Sequence, residues 1–272
     1  MASWPEPRET LYDGGCSFLI KFARVLCDNG RRESWCRLNG EFLEVLVGDL
    51  FGKWGVSEEK LGSDEVRFLP PCVPTKIVCV GLNYRDHAEE LNMPVPGEPV
   101  IFLKPPSSLL GPEGVIRRPP GCSRLDYEAE LAVIMKKTAR SVPVSEARKY
   151  IMGYTCFNDV TARNFQEPGG QWTRAKSYDT FAPLGPVMVS GAEPDGLGIE
   201  LRLNGRVKQS SGTSEMVFGV DELVSIISGY MTLNPGDVIA TGTPPGVGSM
   251  AAGDTVEVVI ENIGSLRNYV AE

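Results

Sequence analysis

Acidic residues occupy alternate positions in one short segment of the sequence. Asp126, Glu128 and Glu130 lie in the run D-Y-E-A-E-L, which has the character of a strand. Because strand side chains alternate between faces, we expect these carboxylates on one face, where they repel each other unless a cation neutralises them. A solvated face of an edge strand is the alternative. The apolar residues 131–135 that follow favour a buried site.

A further carboxylate, Asp159, has apolar neighbours at positions 156, 157 and 160. Burying an isolated aspartate is costly unless it is paired or bound to metal. Glu128, Glu130 and Asp159 would supply three hard oxygen ligands, the type that Mg²⁺ prefers, with Mn²⁺ or Ca²⁺ as substitutes. The alternative is an ion pair between Asp159 and Arg163, four positions later at the start of a helix.

The sequence contains one histidine, His87, which limits the catalytic chemistry that it can support. A His-rich zinc site is excluded, and a Ser-His-Asp or Cys-His mechanism would have to use this residue. If a helix begins at Asp86, His87 and Glu90 lie on one face. The carboxylate would then orient the imidazole as a general base. The alternative is an isolated histidine on the surface or in the core.

Two other segments carry groups suited to binding an anion. Lys176 would meet a substrate carboxylate or oxyanion as a point charge, unless it is an ordinary surface lysine. The run T-G-T-P-P-G-V-G at 241–248 follows a strand and offers backbone N–H and hydroxyl donors. It lacks the ending of a P-loop, and a tight turn is the alternative.

Composition limits the classes of function. The 272 residues carry a formal net charge of −8, which argues against nonspecific nucleic-acid binding, since that needs a basic surface. No apolar run approaches the roughly 20 residues of a membrane helix, and the N-terminus does not resemble a signal peptide. Seven scattered cysteines without a Cys-x-x-Cys spacing are typical of buried, reduced thiols. We therefore expect a soluble, cytoplasmic protein with neither nucleic acid nor membrane as a partner.

The elements that must position these groups are mostly strands. The pattern predicts strands at 76–81, 100–104, 127–135, 238–240 and 256–260, a last strand through Tyr269, and helices at 86–91, 145–152 and 223–230. Frequent turns without a regular βαβ rhythm predict an α+β fold that is mainly β. A doubly wound sheet or a TIM barrel is therefore disfavoured.

The N-terminal part of the chain differs from the rest. A predicted strand at 18–22 and a predicted hairpin around Asn39-Gly40 make it β-rich. The proline-rich stretch 70–74 is a stiff connector. We therefore expect a small β-rich unit at 1–72 and a catalytic domain at 73–272.

From about Lys76 to Val270 the chain resembles the fumarylacetoacetate hydrolase family. The likeness is to its shorter members of the acylpyruvase, oxaloacetate decarboxylase and hydroxyheptadienedioate isomerase types. It is carried by the ordered runs G-L-N-Y-R-D-H-A-E-E, F-L-K-P, D-Y-E-A-E-L, F-N-D-V-T-A-R, A-K-S-Y-D and G-D-V-I-A-T-G-T-P-P-G-V-G. The resemblance implies a catalytic domain folded as a mixed β-sandwich roll, and a homodimer.

The resemblance also implies roles for individual residues. A Mg²⁺ or Mn²⁺ site is implied at Glu128, Glu130 and Asp159, and a catalytic His-Glu pair on a short lid helix at His87 and Glu90. The implied substrate contacts are Lys176, which also takes a catalytic role, Thr243, Gly242 and Arg163. Arg85 departs from the pattern, because related sequences often carry a small residue there.

The implied reaction is Mg²⁺-dependent C–C bond cleavage in a small 2-oxo or 2,4-dioxo (di)carboxylic acid. It would hydrolyse an acylpyruvate or decarboxylate oxaloacetate through an enolate that the metal stabilises. For hydrolysis, His87 held by Glu90 would activate water. The alternative is an isomerase or tautomerase of the hydroxyheptadienedioate or oxaloacetate type, since the same site then only moves a proton. A metal-binding scaffold without catalysis is a further alternative.

Overall fold

The computed structural model describes residues 19–167 and 169–272, and these residues are mostly β. The strands are β1 (Ile20–Cys27), β2 (Arg32–Asn39), β3 (Phe42–Gly48), β4 (Trp54–Gly62), β5 (Arg67–Leu69), β6 (Ile77–Val80), β7 (Ile101–Lys104), β8 (Leu109–Leu110), β9 (Val115–Arg117), β10 (Leu125–Tyr127), β11 (Ala129–Met135), β12 (Ile151–Asn158), β13 (Thr161–Ala162), β14 (Ala182–Ser190), β15 (Gly198–Leu203), β16 (Arg206–Gly212), β17 (Val238–Ala240), β18 (Gly248–Met250), β19 (Thr255–Ile260) and β20 (Gly264–Ala271). The α-helices are α1 (Arg85–Glu90), α2 (Thr173–Lys176) and α3 (Val220–Tyr230).

The largest sheet contains 12 strands, which lie between residues 20 and 240. Its central path has the order β4-β3-β2-β1-β14-β12-β11-β17-β6-β7, with β5 paired to β1 and β8 paired to β14. The N-terminal strands enter this sheet where β1 lies antiparallel to β14, with Phe22 opposite Met188. The strands on both sides of the proline-rich stretch therefore share one sheet.

A five-stranded sheet of order β16-β15-β19-β20-β9 packs against part of the large sheet, which gives the mixed β-sandwich. In β11, Leu131 and Val133 face the core between the two sheets, while Ala132 and Ile134 belong to a second apolar cluster. Because this strand is buried on both faces, its sequence is a continuous apolar run rather than an alternating one. A small sheet, β13-β10-β18, stands at the end of β11.

Several predicted elements are present where the local pattern placed them. The hairpin around Asn39-Gly40 forms from β2 and β3, and the predicted strands at 76–81 and 100–104 are β6 and β7. The amphipathic helix is α3, which begins where Gly219 N–H donates to the Glu222 carboxylate at 2.8 Å. Tyr230, which the spacing places with the apolar residues of this helix, is 61% exposed.

Two element predictions are wrong in detail. The predicted helix at 145–152 is a 3₁₀ helix at Val144–Tyr150, and residues 151 and 152 already belong to β12. The predicted strand at 127–135 breaks at Glu128, because the N–H of Glu128 donates to the side chain of Asn158 rather than to the backbone of a neighbouring strand. The predicted strand at 18–22 is the start of the longer β1, and Phe18 lies outside the described residues.

Two further expectations concern membrane-spanning helices and the cysteine thiols. Within 19–167 and 169–272, no helix has the length and apolar character that a bilayer-spanning segment needs. The six cysteines in these ranges are all buried with free thiols, as expected for structural cysteines. Cys16 lies outside the described residues.

Candidate active site

Three carboxylates meet where β10, β11 and β12 adjoin. Glu128 occupies the break between β10 and β11, Glu130 lies in β11, and Asp159 directly follows β12. Their ligand oxygens all lie within 4.8 Å of one another, and at most 7% of each residue is exposed. The Asp159 N–H donates to the Glu128 carbonyl at 2.8 Å, so the backbone itself fixes the approach of the two side chains. We call Glu128, Glu130 and Asp159 the acidic triad.

The alternative pairing of Asp159 with Arg163 is wrong. Arg163 instead donates to Asp126 at 2.7 Å and to Glu128 at 2.5 Å. Asp126 is fully buried and also accepts from Arg124 at 2.9 Å. Asp126 is therefore an ion-pair partner of two arginines and does not join the triad, although it shares the alternating acidic pattern.

Two buried lysines supply the positive charge that Asp159 needs. Lys176 Nζ donates to Asp159 Oδ2 at 2.6 Å and to Glu128 Oε2 at 2.9 Å, so it is not the surface lysine of the alternative interpretation. Lys104 Nζ lies 2.7 Å from Asp159 Oδ1, but its hydrogen bonds go to the carbonyls of Val160 and Phe181. Asp159 Oδ1 is buried and has this ion-pair contact, but it accepts no well-aligned hydrogen bond.

The surroundings shift the pKa values of the triad in opposite directions. Burial alone would raise the pKa of Glu128, but the charges of Lys176 and Arg163 outweigh it and lower this pKa to about 2. Burial also raises the pKa of Glu130, and the nearby charges of Asp159 and Glu128 raise it further. Although burial opposes it, the same carboxylates raise the pKa of Lys176 and keep its ammonium charged. Such divergence is common at functional sites.

The acidic triad fits a hard divalent cation. All of its donors are carboxylate oxygens, which Mg²⁺ and Mn²⁺ accept. Asp159 Oδ1, which faces Lys104 but accepts no well-aligned hydrogen bond, has a lone pair available to an ion. Crowding three carboxylates into a buried site is unfavourable unless positive charge offsets it.

His87 and Glu90 form a pair on α1. His87 Nδ1 and Glu90 Oε2 are 2.7 Å apart, and Glu90 Oε1 accepts from the N–H of Gly246 at 3.0 Å. The helix is held from its N-terminal end, where Arg85 donates to the Met216 carbonyl at 2.8 Å and Asp86 accepts from Ser211 at 2.5 Å. The isolated-histidine alternative is wrong, because the imidazole is fixed by a carboxylate that is itself fixed.

The loop at 241–248 contacts both groups through its backbone. The N–H of Gly242, which we expected to face a substrate, donates to Glu130 Oε2 at 2.9 Å. Gly242 has φ +93°, and a Cβ there would lie 2.8 Å from the Cβ of Asn83, so only glycine fits. Thr243 accepts from Gln209 at 2.8 Å. The loop therefore orients a carboxylate of the acidic triad, which the interpretation as a simple tight turn does not include.

One cavity of about 570 Å³ joins these groups. Its polar lining comprises the acidic triad, His87, Glu90, Arg124, Arg163, Gln166, Lys176 and Thr243, and its apolar lining comprises Val80, Leu82, Leu91, Met93, Phe102, Trp172 and Val247. All the residues that the sequence suggested for the site line this cavity except Gly242, which acts from behind Glu130.

Sequence reasoning missed Lys104, Arg124 and the aromatic pair Phe102 and Trp172. The rings of this pair meet edge to face at 5.2 Å between centroids. Lys104 gave one usable signal, since it is the charged end of an otherwise apolar strand. The partners of these residues lie far away in the chain, and no local pattern reveals them.

The chain is similar to known proteins over most of its length. Residues 76–271 match the family model "Fumarylacetoacetate (FAA) hydrolase C-terminal", and residues 20–71 match "Rv2993c-like, N-terminal". The chain is 45% identical over 223 residues to the mitochondrial oxaloacetate tautomerase FAHD2A of Bos taurus, covering 77% of this chain and 71% of that protein.

Two solved structures are similar as well. The 2-hydroxyhepta-2,4-diene-1,7-dioate isomerase of Mycobacterium marinum is 39% identical with a TM-score of 0.86, covering 93% of this chain and 98% of that one. The fumarylpyruvate hydrolase of Pseudomonas aeruginosa, in complex with Mn²⁺ and pyruvate, is 28% identical with a TM-score of 0.70, covering 79% and 92%. With the family model matched over most of its length, the chain belongs to the fumarylacetoacetate hydrolase family.

Proposed function

We propose that this protein is a divalent-metal-dependent enzyme that cleaves a C–C bond of a small 2-oxo or 2,4-dioxo acid, by hydrolysis or by decarboxylation. The observation that carries the proposal is the convergence of the acidic triad and the His87–Glu90 pair on one cavity. A fumarylpyruvate hydrolase of the same family binds Mn²⁺ and pyruvate, a 2-oxo acid, which supports this substrate class.

Glu128, Glu130 and Asp159 would hold the ion, which we propose to be Mg²⁺ with Mn²⁺ or Ca²⁺ as substitutes. When bound, the ion supplies Lewis-acid stabilisation of the negative charge that develops on the oxygens of an oxo acid. The N–H of Gly242 keeps one oxygen of Glu130 in place, and this orients its carboxylate. Lys176 keeps positive charge beside Glu128 and Asp159, where that negative charge develops.

For a 2,4-dioxo acid, His87 acts as the base. A proton on Nδ1 satisfies the contact with Glu90 and leaves Nε2 unprotonated. Nε2 takes a proton from water as the water oxygen bonds to C4. The C3–C4 bond then breaks with its electron pair leaving on C3, and the proton held by His87 is delivered to C3. The products are a carboxylic acid and a 2-oxo acid.

The second candidate function is isomerisation or tautomerisation of an oxo dicarboxylate. It is favoured by the names of the two relatives with higher identity, an oxaloacetate tautomerase and a hydroxyheptadienedioate isomerase. In this reaction His87 moves a proton between carbon and oxygen, and no water is needed.

Purified protein assayed with and without Mg²⁺ on acylpyruvates, oxaloacetate and hydroxydienedioates tests the proposal and separates the two candidates by their products. We expect metal-stimulated turnover that Glu128→Ala abolishes, because the substitution removes a ligand and leaves Lys176 and Arg163 without their shared carboxylate. Metal-stimulated turnover retained in Glu128→Ala would contradict the proposal.

The role of His87 is tested by comparing reactions. We expect His87→Ala to abolish hydrolysis, which needs an activated water, and to spare decarboxylation of oxaloacetate, which needs no nucleophile. An equal loss of activity in both assays would show that hydrolysis does not depend on His87 more than decarboxylation does.

A further inference from the structure

Arg124 differs from the other cations that line the cavity. It directly precedes β10, and its side chain is 55% exposed. Its Nε donates to Asp126 Oδ1 at 2.9 Å. Within the described residues its terminal nitrogens make no hydrogen bond, so two donor groups of a fixed guanidinium face the cavity and solvent.

The arginine and the lysine that also line the cavity each use most of their N–H groups on protein oxygens. Arg163 donates to Asp126, Glu128 and Gln166. Lys176 is buried between Glu128 and Asp159. In the part of the chain that the structure describes, Arg124 donates only from Nε, so it offers more unbonded N–H groups to a second anionic group on a ligand than either of these residues.

The position of Arg124 relative to the triad is set by a shared carboxylate. Arg124 and Arg163 donate to the two oxygens of Asp126, at 2.9 and 2.7 Å. The guanidinium of Arg163 extends from there to Glu128. Arg124 thus stands one guanidinium away from the triad, and it shares the Asp126 carboxylate with Arg163.

Part of the lining is apolar. The Phe102–Trp172 pair and Met93 line the cavity, and 53% of Met93 is exposed. These side chains suit the hydrocarbon part of a ligand but offer nothing to a carboxylate, which is costly to place against apolar groups without a partner. Arg124, whose terminal nitrogens make no hydrogen bond within the described residues, offers such a partner.

We propose that Arg124 is a specificity-determining residue that binds the distal carboxylate of a 2-oxo dicarboxylic acid. The 2-oxo carboxylate end lies at the triad, and the intervening carbons lie along Phe102 and Trp172. A guanidinium held by its Nε presents a pair of parallel donors, which is the geometry that a carboxylate accepts. This inference rests on the function proposed above, and it names the substrate class of that site as diacids.

The test measures binding and does not require turnover. Calorimetry in the presence of Mg²⁺ compares 2-oxopentanedioate, 2-oxohexanedioate and 2-oxoheptanedioate with the 2-oxo monocarboxylates of equal length. All of these ligands lack the 4-oxo group that hydrolysis needs. We expect the wild type to bind the diacid about tenfold more tightly at one or more of these lengths, the effect of one hydrogen-bonded charge pair. Arg124→Gln should remove this preference and leave the affinity for the monoacids unchanged.

Arg206→Gln is the matched control, since Arg206 is an exposed arginine that does not line the cavity. It should retain the preference for diacids. No preference in the wild type at any length would overturn the proposal, and so would a preference that persists in Arg124→Gln. Equal weakening of diacid and monoacid would show that Arg124 only supports Asp126. An Arg124-dependent preference without turnover of any oxo acid would sustain this inference while removing the proposed reaction.

Discussion

Glu128 and Glu130 stand two positions apart in the chain, yet their surroundings shift their pKa values in opposite directions. Glu128 is held ionised by Lys176 and Arg163, whereas Glu130 receives one backbone N–H and faces two other carboxylates. Without a divalent ion, ionisation of Glu130 is therefore unfavourable. This is the cost that a bound divalent ion would remove.

Glu130→Gln should stabilise the metal-free protein at high pH. The folded pKa of Glu130 is raised by burial and by Asp159 and Glu128, so the folded wild type loses stability as pH rises from the ordinary value of 4.5 through the raised one. Glutamine keeps an oxygen for the Gly242 N–H and does not ionise. With a chelator present, thermal melts at pH 8 should show a melting temperature a few degrees higher than wild type.

The same comparison contains its own control. The difference should shrink as pH falls toward 4.5, where Glu130 is protonated in the wild type too. A wild type as stable as Glu130→Gln at pH 8 would mean that the carboxylate at 130 carries no penalty. Addition of Mg²⁺ should stabilise the wild type and not the variant.

Residue types alone revealed the triad and the His-Glu pair, because carboxylates in a strand and a carboxylate near a histidine in a helix are local patterns. The ion-pair partners of these carboxylates could not be predicted from local patterns. Asp159 pairs with Lys104, 55 positions earlier in the chain, and not with the nearby Arg163. Which cation meets which carboxylate depends on how distant strands approach each other, and helix spacing carries no information on that.

Among the elements, the loop at 241–248 links the two halves of the site. Its Gly242 N–H fixes Glu130, and its Gly246 N–H fixes Glu90. One segment of backbone therefore orients a carboxylate of the triad and the carboxylate that holds His87. A displacement of this loop would disturb metal binding and the base together.

Gly242→Ala should weaken metal binding as well as stability. The new methyl would lie 2.8 Å from the Cβ of Asn83, at a φ of +93° that alanine rarely adopts. Moving the backbone to relieve this contact withdraws the N–H from Glu130. We expect a loss of about 1–3 kcal/mol in the free energy of unfolding and a measurable fall in Mg²⁺ affinity by calorimetry.

Gly253→Ala separates these effects, because Gly253 has φ +90° but no atom near its Cβ position. It should lose stability through backbone strain and keep its Mg²⁺ affinity. Equal affinities in the two variants would show that the Gly242 contact does not orient Glu130.

The elements also show where local patterns fail. The hairpin, α1 and α3 follow from turn residues and apolar spacing within short windows. The break at Glu128 does not, because its N–H and that of Ala129 are taken by the side chains of Asn158 and Gln209. Those acceptors arrive from other strands, so the sequence around 127–135 reads as one uninterrupted strand.

At the scale of the whole molecule, the N-terminal strands share both a sheet and a core with the rest. Phe22 of β1 is 2% exposed and belongs to one apolar cluster with Leu184 and Met188 of β14. The predicted boundary near residue 72 is a boundary in the order of the chain and not between two sheets. The homodimer expected from the resemblance stays a prediction. The shared cluster argues that both parts unfold together.

Phe22→Ala should lower the stability of the entire protein. Removing a buried phenylalanine from a packed core costs about 3–5 kcal/mol, and because β1 pairs with β14 the calorimetric transition should stay single. Phe42→Ala is the control, since Phe42 is 54% exposed on β3 and its loss should change stability little. Two separate transitions, with only one shifted by Phe22→Ala, would show that the N-terminal strands unfold independently.

The most direct test of the central claim is a titration of the metal-free protein with Mn²⁺, followed by the decrease of the free-ion signal in electron paramagnetic resonance. We expect a saturable Mn²⁺ site in the wild type and in Asp179→Asn, which changes an exposed aspartate. We expect loss of that site in Asp159→Asn, which replaces a buried carboxylate of the acidic triad. Undiminished Mn²⁺ binding by Asp159→Asn would contradict the assignment of the acidic triad as the metal site.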